Sequence, residues 1–357
     1  MHPSRGHVTS IACLLLVALG RVGVAQGGER RALAGDRVAI YNLAGTIRVE
    51  QGTGNDVMVS VEKKGGDGER LKIESGRIDG RETLRVIYPE RRIVYRGNEQ
   101  GRSSTQLNVD DNGTFGDDRG HRAASDRYEV SNSGRGFEGY ADIRVSVPRG
   151  RRIEIFLASG MAEVSHLEAD VSVVVYAAAV TTTHTRGTLS LDTGSGEVHV
   201  TDAEGELTLD SGSGSVTLNG MRGPRLNLDT GSGQIRADDI QVDDLTADTG
   251  SGSVRLSGVR AHRLNLDSGS GSLEVMLAAD VESMRVDAGS GAVTLGVPES
   301  LGAMLDIDTG SGGIDVDIPA AVTRRDRDSF VAKLGDGRGR ITIESGSGGV
   351  HLMRNRD

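Results

Sequence analysis

Tryptophan is absent from this 357-residue sequence, and aromatic residues together make up only 3% of it. A core built around large rings is therefore excluded, and burial falls to Val, Leu, Ile and Ala, which suits a thin interior. Cysteine occurs once, as Cys13. That rules out an intramolecular disulfide and leaves the chain beyond its leader with no thiol nucleophile or thiolate metal site. No stretch reaches the roughly 18 apolar residues that cross a bilayer as a helix. A basic excess is also missing. The formal net charge is −10, which excludes the phosphate-neutralising surface of a nucleic-acid binder and general adhesion to anionic membranes.

The longest apolar run, Ile11 to Leu19, is too short to span a membrane and follows a polar or basic start at His2, Arg5 and His7. With small residues at Gly23 and Ala25 it reads as a signal peptide over residues 1–25, cleaved before Gln26. Cys13 precedes most of the apolar run instead of following it, so lipidation is not expected. The mature chain is expected to be exported, to periplasm, cell envelope or medium, with no transmembrane segment.

What is abundant is glycine, 52 residues, and it falls at regular places. The aspartate of Asp-(Thr/Ser/Ala)-Gly-Ser-Gly occurs at Asp192, Asp210, Asp229, Asp248, Asp267, Asp287 and Asp308, spaced 18 to 21 residues apart, and "ESGSG" follows at Glu344. Weaker copies precede them in "IEIFLASGMAEVSHL" and "VSVVVYAAAVTTTHT". Around each motif apolar residues alternate with polar ones: Leu226 and Leu228 before Asp229, Ile235 and Ala237 after it. Period two over short runs marks strands. A further apolar position (Met221, Ile240, Val259) suggests a third wall. A fixed repeat of about nineteen residues holding short strands is one coil of a β-solenoid. The expected fold is therefore all-β: a parallel β-solenoid over 149–352, with equivalent residues stacked about 4.8 Å apart.

DTGS is also the catalytic context of pepsin-like proteases, but that chemistry needs two aspartates converging on one water. Seven copies in one column form a structural pattern instead. The expectation is an outward corner ladder, with each carboxylate bonded to backbone N–H groups and the glycines supplying backbone shapes closed to other residues. Like charges so spaced repel, and calcium is the cation that would offset this along Asp192, Asp210, Asp229, Asp248, Asp267, Asp287 and Asp308. The spacing does not match the calcium-binding nonapeptide repeat, so no metal or cofactor is assigned. Ser195, Ser213, Ser232, Ser251 and Ser270 lie between glycines, yet no helix signal follows them, as a nucleophile elbow requires. His166, His184 and His199 read as outward surface residues. No catalytic residue is assigned.

Residues 26–36 read as a flexible lead-in and 37–148 as an N-terminal β region holding a long polar loop at about 97–136, expected to be disordered. An excursion at 319–340, locally basic through Arg324, Arg325 and Arg327, reads as a solvated loop or capping helix, or as a contact for an anion or partner. Residues 353–357 form a tail.

Three segments, "IYNLAGTIRVEQGTGNDVMVSVEKKG", "IRVSVPRGRRIEI" and the run of "LDTGSGxV" units, resemble the bacterial putative-adhesin family, a domain of unknown function with stacked glycine-rich β-repeats. The resemblance covers roughly Arg37 to Leu352. It implies an exported, envelope-associated solenoid and carries over no catalytic residue. The expected function is non-enzymatic: a repetitive polar face making multivalent contacts with an envelope, surface or glycan partner. The alternatives are a carbohydrate-active β-helix enzyme such as a polysaccharide lyase, against which the aromatic-free repeats speak, and an envelope-stress accessory protein. A deep groove with converging Asp and Arg side chains would favour the enzyme; a uniform shallow face would favour binding.

Overall fold

The computed structural model describes residues 28–97, 103–116 and 125–355; the signal peptide expected at 1–25 lies outside them. The fold is an all-β solenoid whose strands are mostly parallel. Its middle consists of β10 (Arg152–Glu168), β11 (Asp170–Thr193), β12 (Val198–Ser211), β13 (Val216–Thr230), β14 (Ile235–Thr249) and β15 (Val254–Ser268), which pair in parallel in chain order. Within β13 the reason is visible residue by residue. Val216 and Leu218 form one wall, Met221 a second and Leu226 and Leu228 a third, and all five are buried. Each sits in register on Ile235, Ala237, Ile240, Leu245 and Ala247 of β14. Aliphatic side chains therefore stack into continuous ladders, and each coil's apolar surface is covered by the next.

The bend between the first two walls falls on one column: His166, His184, Asp202, Gly220, Asp239 and Gly258. All six have left-handed backbone, with φ between +50° and +77°, a conformation that Gly, Asp and His tolerate best. The Asp-Thr-Gly-Ser-Gly corner works differently from expectation. Its glycines are not left-handed. A β-carbon on Gly231, Gly250 or Gly269 would lie 2.5–2.6 Å from the carbonyl oxygen of the glycine one coil below, and one on Gly233 or Gly252 would lie closer still. These glycines are required because successive coils touch backbone to backbone. The bonds closing the corner also come from the residue after the aspartate: the buried hydroxyls of Ser211, Thr249, Ser268 and Thr309 donate to the carbonyls of Gly214, Gly252, Gly271 and Gly312 at 2.9, 3.2, 2.7 and 2.8 Å.

At the N-terminal end, β1 (Glu29–Leu33), β2 (Arg37–Gln51), β3 (Val57–Lys64), β4 (Lys72–Ile78), β5 (Arg81–Ile87) and β9 (Tyr140–Val147) cap the stack. β2 is already a coil, in parallel register with β10 from Arg37 on Arg152 to Glu50 on Ser165. Its outer side takes β5 and β9, and these pair antiparallel with β4 and β3, so antiparallel strands terminate the parallel stack. β1 pairs with β3, which makes Glu29–Leu33 of the expected flexible lead-in an edge strand. Arg81, almost fully buried, is ion-paired to Glu154, which Arg37 also contacts at 3.1 Å.

The loop expected to be disordered contributes two strands to a small sheet, while 98–102 and 117–124 lie outside the described residues. β6 (Arg92–Val94), β7 (Ser104–Asp110) and β8 (Ser125–Ser131) form three strands that bury Ile93, Leu107, Val109 and Val130. The apolar residues are too sparse to register as a pattern, and they suffice because the sheet packs on the solenoid.

The C-terminal end departs from sequential stacking. β16 (Leu273–Leu277) continues the wall begun by Val254, and β17 (Ser283–Ala288) and β18 (Val293–Val297) form the next coil. β19 (Ala303–Thr309) and β20 (Ile314–Val316) do not stack on it. The last coil, β23 (Gly339–Ser345) and β24 (Val350–Arg354), lies between the two. The excursion at 319–340 is neither helix nor solvated loop. β21 (Ala321–Arg325) and β22 (Ser329–Leu334) form a hairpin, and β22 pairs antiparallel with β19 and buries Phe330, Ala332 and Leu334. Such an antiparallel, charged terminus blunts the edge of a parallel stack.

Candidate functional site: one polar face of stacked columns

The wall carrying Leu226 and Leu228 presents three outward columns. The first is the acidic ladder: Asp192, Asp210, Asp229, Asp248, Asp267, Asp287, Glu344 and Asp308, in that spatial order. Glu344 stands between Asp287 and Asp308 because β23 is inserted there. All seven aspartates point outward, as expected. Burial of the carboxyl and then the neighbouring carboxylates push Asp229 and Asp267 above the usual carboxylate range; the neighbours are Asp210 and Asp248 for the former, Asp248 and Asp287 for the latter. The ladder is a line: among the described residues no three of its carboxylates converge within 4.8 Å. A cation drawn to it would meet neighbouring carboxylates and water instead of a closed cage. At its far end Arg324 lies 3.9 and 4.0 Å from Asp306 and Asp308, while Arg325 sits over the Phe330 ring at 5.9 Å.

The middle column runs Ser190, Thr208, Asn227, Thr246, Asn265, Arg285, Thr342 and Asp306; the outer one runs Thr188, Glu206, Arg225, Asp244, Arg263, Ser283, Arg340 and Met304. Where the two cross the junction of β14, β15, β17 and β23, the face dips into a groove of about 470 Å³ lined by Arg225, Asp244, Arg263, Asn265, Arg285 and Arg340, among others. Ser283 explains the dip, since a short side chain stands between two arginines in its column. Arg263 holds Asp244 through two hydrogen bonds of 2.5 and 2.9 Å, and that contact keeps the Asp244 carboxyl below its usual range. Arg285 lies 3.4 Å from Glu344 and 3.7 Å from Asp287. Arg225 lies 3.8 Å from Glu206, and Arg340 makes no ion pair among the described residues.

The remaining sequence candidates lie elsewhere. Ser195, Ser213, Ser232, Ser251 and Ser270 are exposed at the corner tips, and Ser195 and Ser213 donate only to backbone carbonyls, at 3.4 and 3.5 Å. His166 and His184 stack at the left-handed bend, ring centroids 4.9 Å apart, with His184 at 3.2 Å from Asp202. His199 stands on another wall, 3.6 Å from Glu197. On the last coils Asp315, Asp317 and His351 bring their ligand atoms within 4.8 Å of one another. Sequence reasoning missed the groove arginines. Arg225 and Arg263 share the position four before the motif aspartate, a signal present in the repeats, but nothing in the spacing places Arg340 beside Ser283.

The family model of Toastrack DUF4097 matches residues 36–353, and the chain belongs to that family, a domain of unknown function. No curated protein matches it. A solved structure that it resembles is that of a putative cell adhesion protein from Clostridium sporogenes ATCC 15579, at 11% identity over 92% of this chain and 98% of that one, with a TM-score of 0.20. Among the described residues no helix is long and apolar enough to cross a membrane.

Proposed function

We propose that this Toastrack protein is an exported, non-enzymatic interaction module of the cell envelope, adhesin-like in action. The observation that carries the reading is the polar face itself. Three columns repeat carboxylates, hydroxyls, amides and guanidinium groups at strand spacing across eight coils. Contacts that are weak singly add along such an array. The lyase alternative would need a free acid and base in a groove. The groove does bring Asp244 together with arginines, the arrangement expected of that alternative, but its carboxylate is tied to Arg263 and is a poor proton acceptor, which supports binding over turnover.

The test has two parts. Fractionating cells that express the full chain should place the processed protein outside the cytoplasm. Purified mature chain should then co-sediment with intact cells or isolated envelope polysaccharide, without generating new reducing ends. Retention in the cytoplasm, or steady release of shortened saccharides, would overturn the reading.

A further inference from the structure

We propose that the groove over β14, β15, β17 and β23 is a binding site for an acidic glycan, a saccharide chain bearing carboxylate or sulfate groups. The inference deepens the envelope-binding reading and rests on it.

The groove is a basic site in an acidic protein. It brings Arg225, Arg263, Arg285 and Arg340 together around Asp244, although the whole chain carries a net charge of −10. These cations differ in their commitments. Arg263 is committed to Asp244, and Arg285 leans toward Glu344 and Asp287. Arg340, without an ion pair among the described residues, flanks the floor made by Ser283. A guanidinium fork matches planar or tetrahedral oxyanions and binds them through paired hydrogen bonds, so Arg340 with Arg285 forms the anion end of the site.

The rest of the lining selects what carries the anion. Thr246, Asn265, Ser283 and Thr342 offer neutral donors and acceptors along the floor. One column away stand Asp248, Asp267, Asp287 and Glu344. Those carboxylates repel an anionic polymer that has no hydroxyl groups to offer them, such as polyglutamate. They accept hydrogen bonds from hydroxyl groups. A ligand placing its anion on Arg340 and its hydroxyls toward the ladder satisfies both columns, and an acidic sugar carries both groups. From Gly187 to Ile318 there is no aromatic residue, so stacking on sugar rings does not contribute and a neutral glycan has little to hold. At about 470 Å³ the groove is within the usual range for small-ligand sites.

The mature chain is titrated calorimetrically with oligogalacturonate, with a heparin oligosaccharide, with neutral dextran and with polyglutamate. One or both acidic saccharides should bind, the stronger telling carboxylate from sulfate; dextran and polyglutamate should not. Arg340→Ala should weaken binding about tenfold, the scale of one charge-assisted hydrogen-bonded contact, with the melting temperature unchanged. Arg340→Lys should restore part of it. Arg236→Ala, on a different wall, should leave it intact. Equal binding of polyglutamate, indifference to Arg340→Ala, or no heat with either acidic saccharide overturns the proposal. If the chain still co-sediments with cells in that last case, the envelope-binding reading survives and only the glycan assignment falls; if neither is seen, both fall.

Discussion

One column of the solenoid has two chemistries, and the contrast between its halves is instructive. Followed toward the N-terminus, the acidic ladder continues into Val174, Phe156 and Tyr41, which occupy the same outward position on earlier coils. There the column is apolar and aromatic. The rings of Tyr41 and Phe156 stack at 4.4 Å and 4°, and Phe115 from the small three-stranded insert meets Tyr41 edge-on at 5.7 Å. Tyr41 is fully buried. Among the described residues no other strand lies over the stretch from Asp210 to Asp267, whose carboxylates are exposed. The backbone position is equivalent throughout, so what decides the side chain is whether another piece of the chain lies over it. Nine of the ten aromatic residues fall before Gly187, the half that carries the insert.

The largest effect that breaks this comparison belongs to the covered half. Phe156→Ala should cost about 3–5 kcal/mol, the usual penalty for emptying a buried aromatic site, read as a fall in the urea midpoint. Asp210→Ala, in the same column, should cost far less; a comparable loss would show that the exposed half is structural too. Gly252→Ala comes next, at about 1–3 kcal/mol for overpacking, because its β-carbon meets the Gly233 carbonyl. Gly313→Ala, with open space around it, is the matched control. A melt insensitive to Gly252→Ala would show that the coils can separate at that corner.

The smallest effect sharpens the electrostatic half. Asp229 and Asp267 hold their protons more tightly in the fold than in the unfolded chain, where such a carboxyl titrates near 3.8. Stability from that source is complete below the unfolded value and is lost as pH rises through the higher folded one. Asp229→Asn should therefore raise the melting temperature slightly at neutral pH, and the gain should fade below pH 3.8 and in high salt. A destabilised Asp229→Asn would mean the carboxylate makes a bond that outweighs the repulsion. In the same melts a chelator should leave the midpoint in place, since the ladder is linear; a clear fall would put calcium on it.

Much of this fold was legible in the residues. Alternation at Leu226, Leu228, Ile235 and Ala237 announces two of the walls, Met221 and Ile240 announce the one between them, and the Asp-Thr-Gly-Ser-Gly recurrence announces the corner. The corner's inner workings were not. Thr230 and Thr249 belong to a position that is Thr or Ser in six of the seven copies and Ala288 in the other, yet a repeated polar residue does not declare which way it points; only the coil's curvature turns the hydroxyl inward and the carboxylate outward. The insert was illegible for a different reason. Leu107, Val109 and Val130 are too few to suggest a sheet until the ring of Phe115 is seen against Tyr41 and Phe156.

The sequence by itself determined the coil: its period, its aliphatic ladders and the columns each side chain joins, because these follow from local alternation and from repeats that no single coil could satisfy alone. Only the tertiary structure decided the order of the coils. Parallel coils with the same pattern accept one another as neighbours almost interchangeably, so local chemistry cannot say that the last coil, at 339–354, slips between those at 283–297 and 303–316. That placement depends on the return path through the hairpin at 321–334, and it sets Glu344 into the acidic ladder and Arg340 beside Ser283.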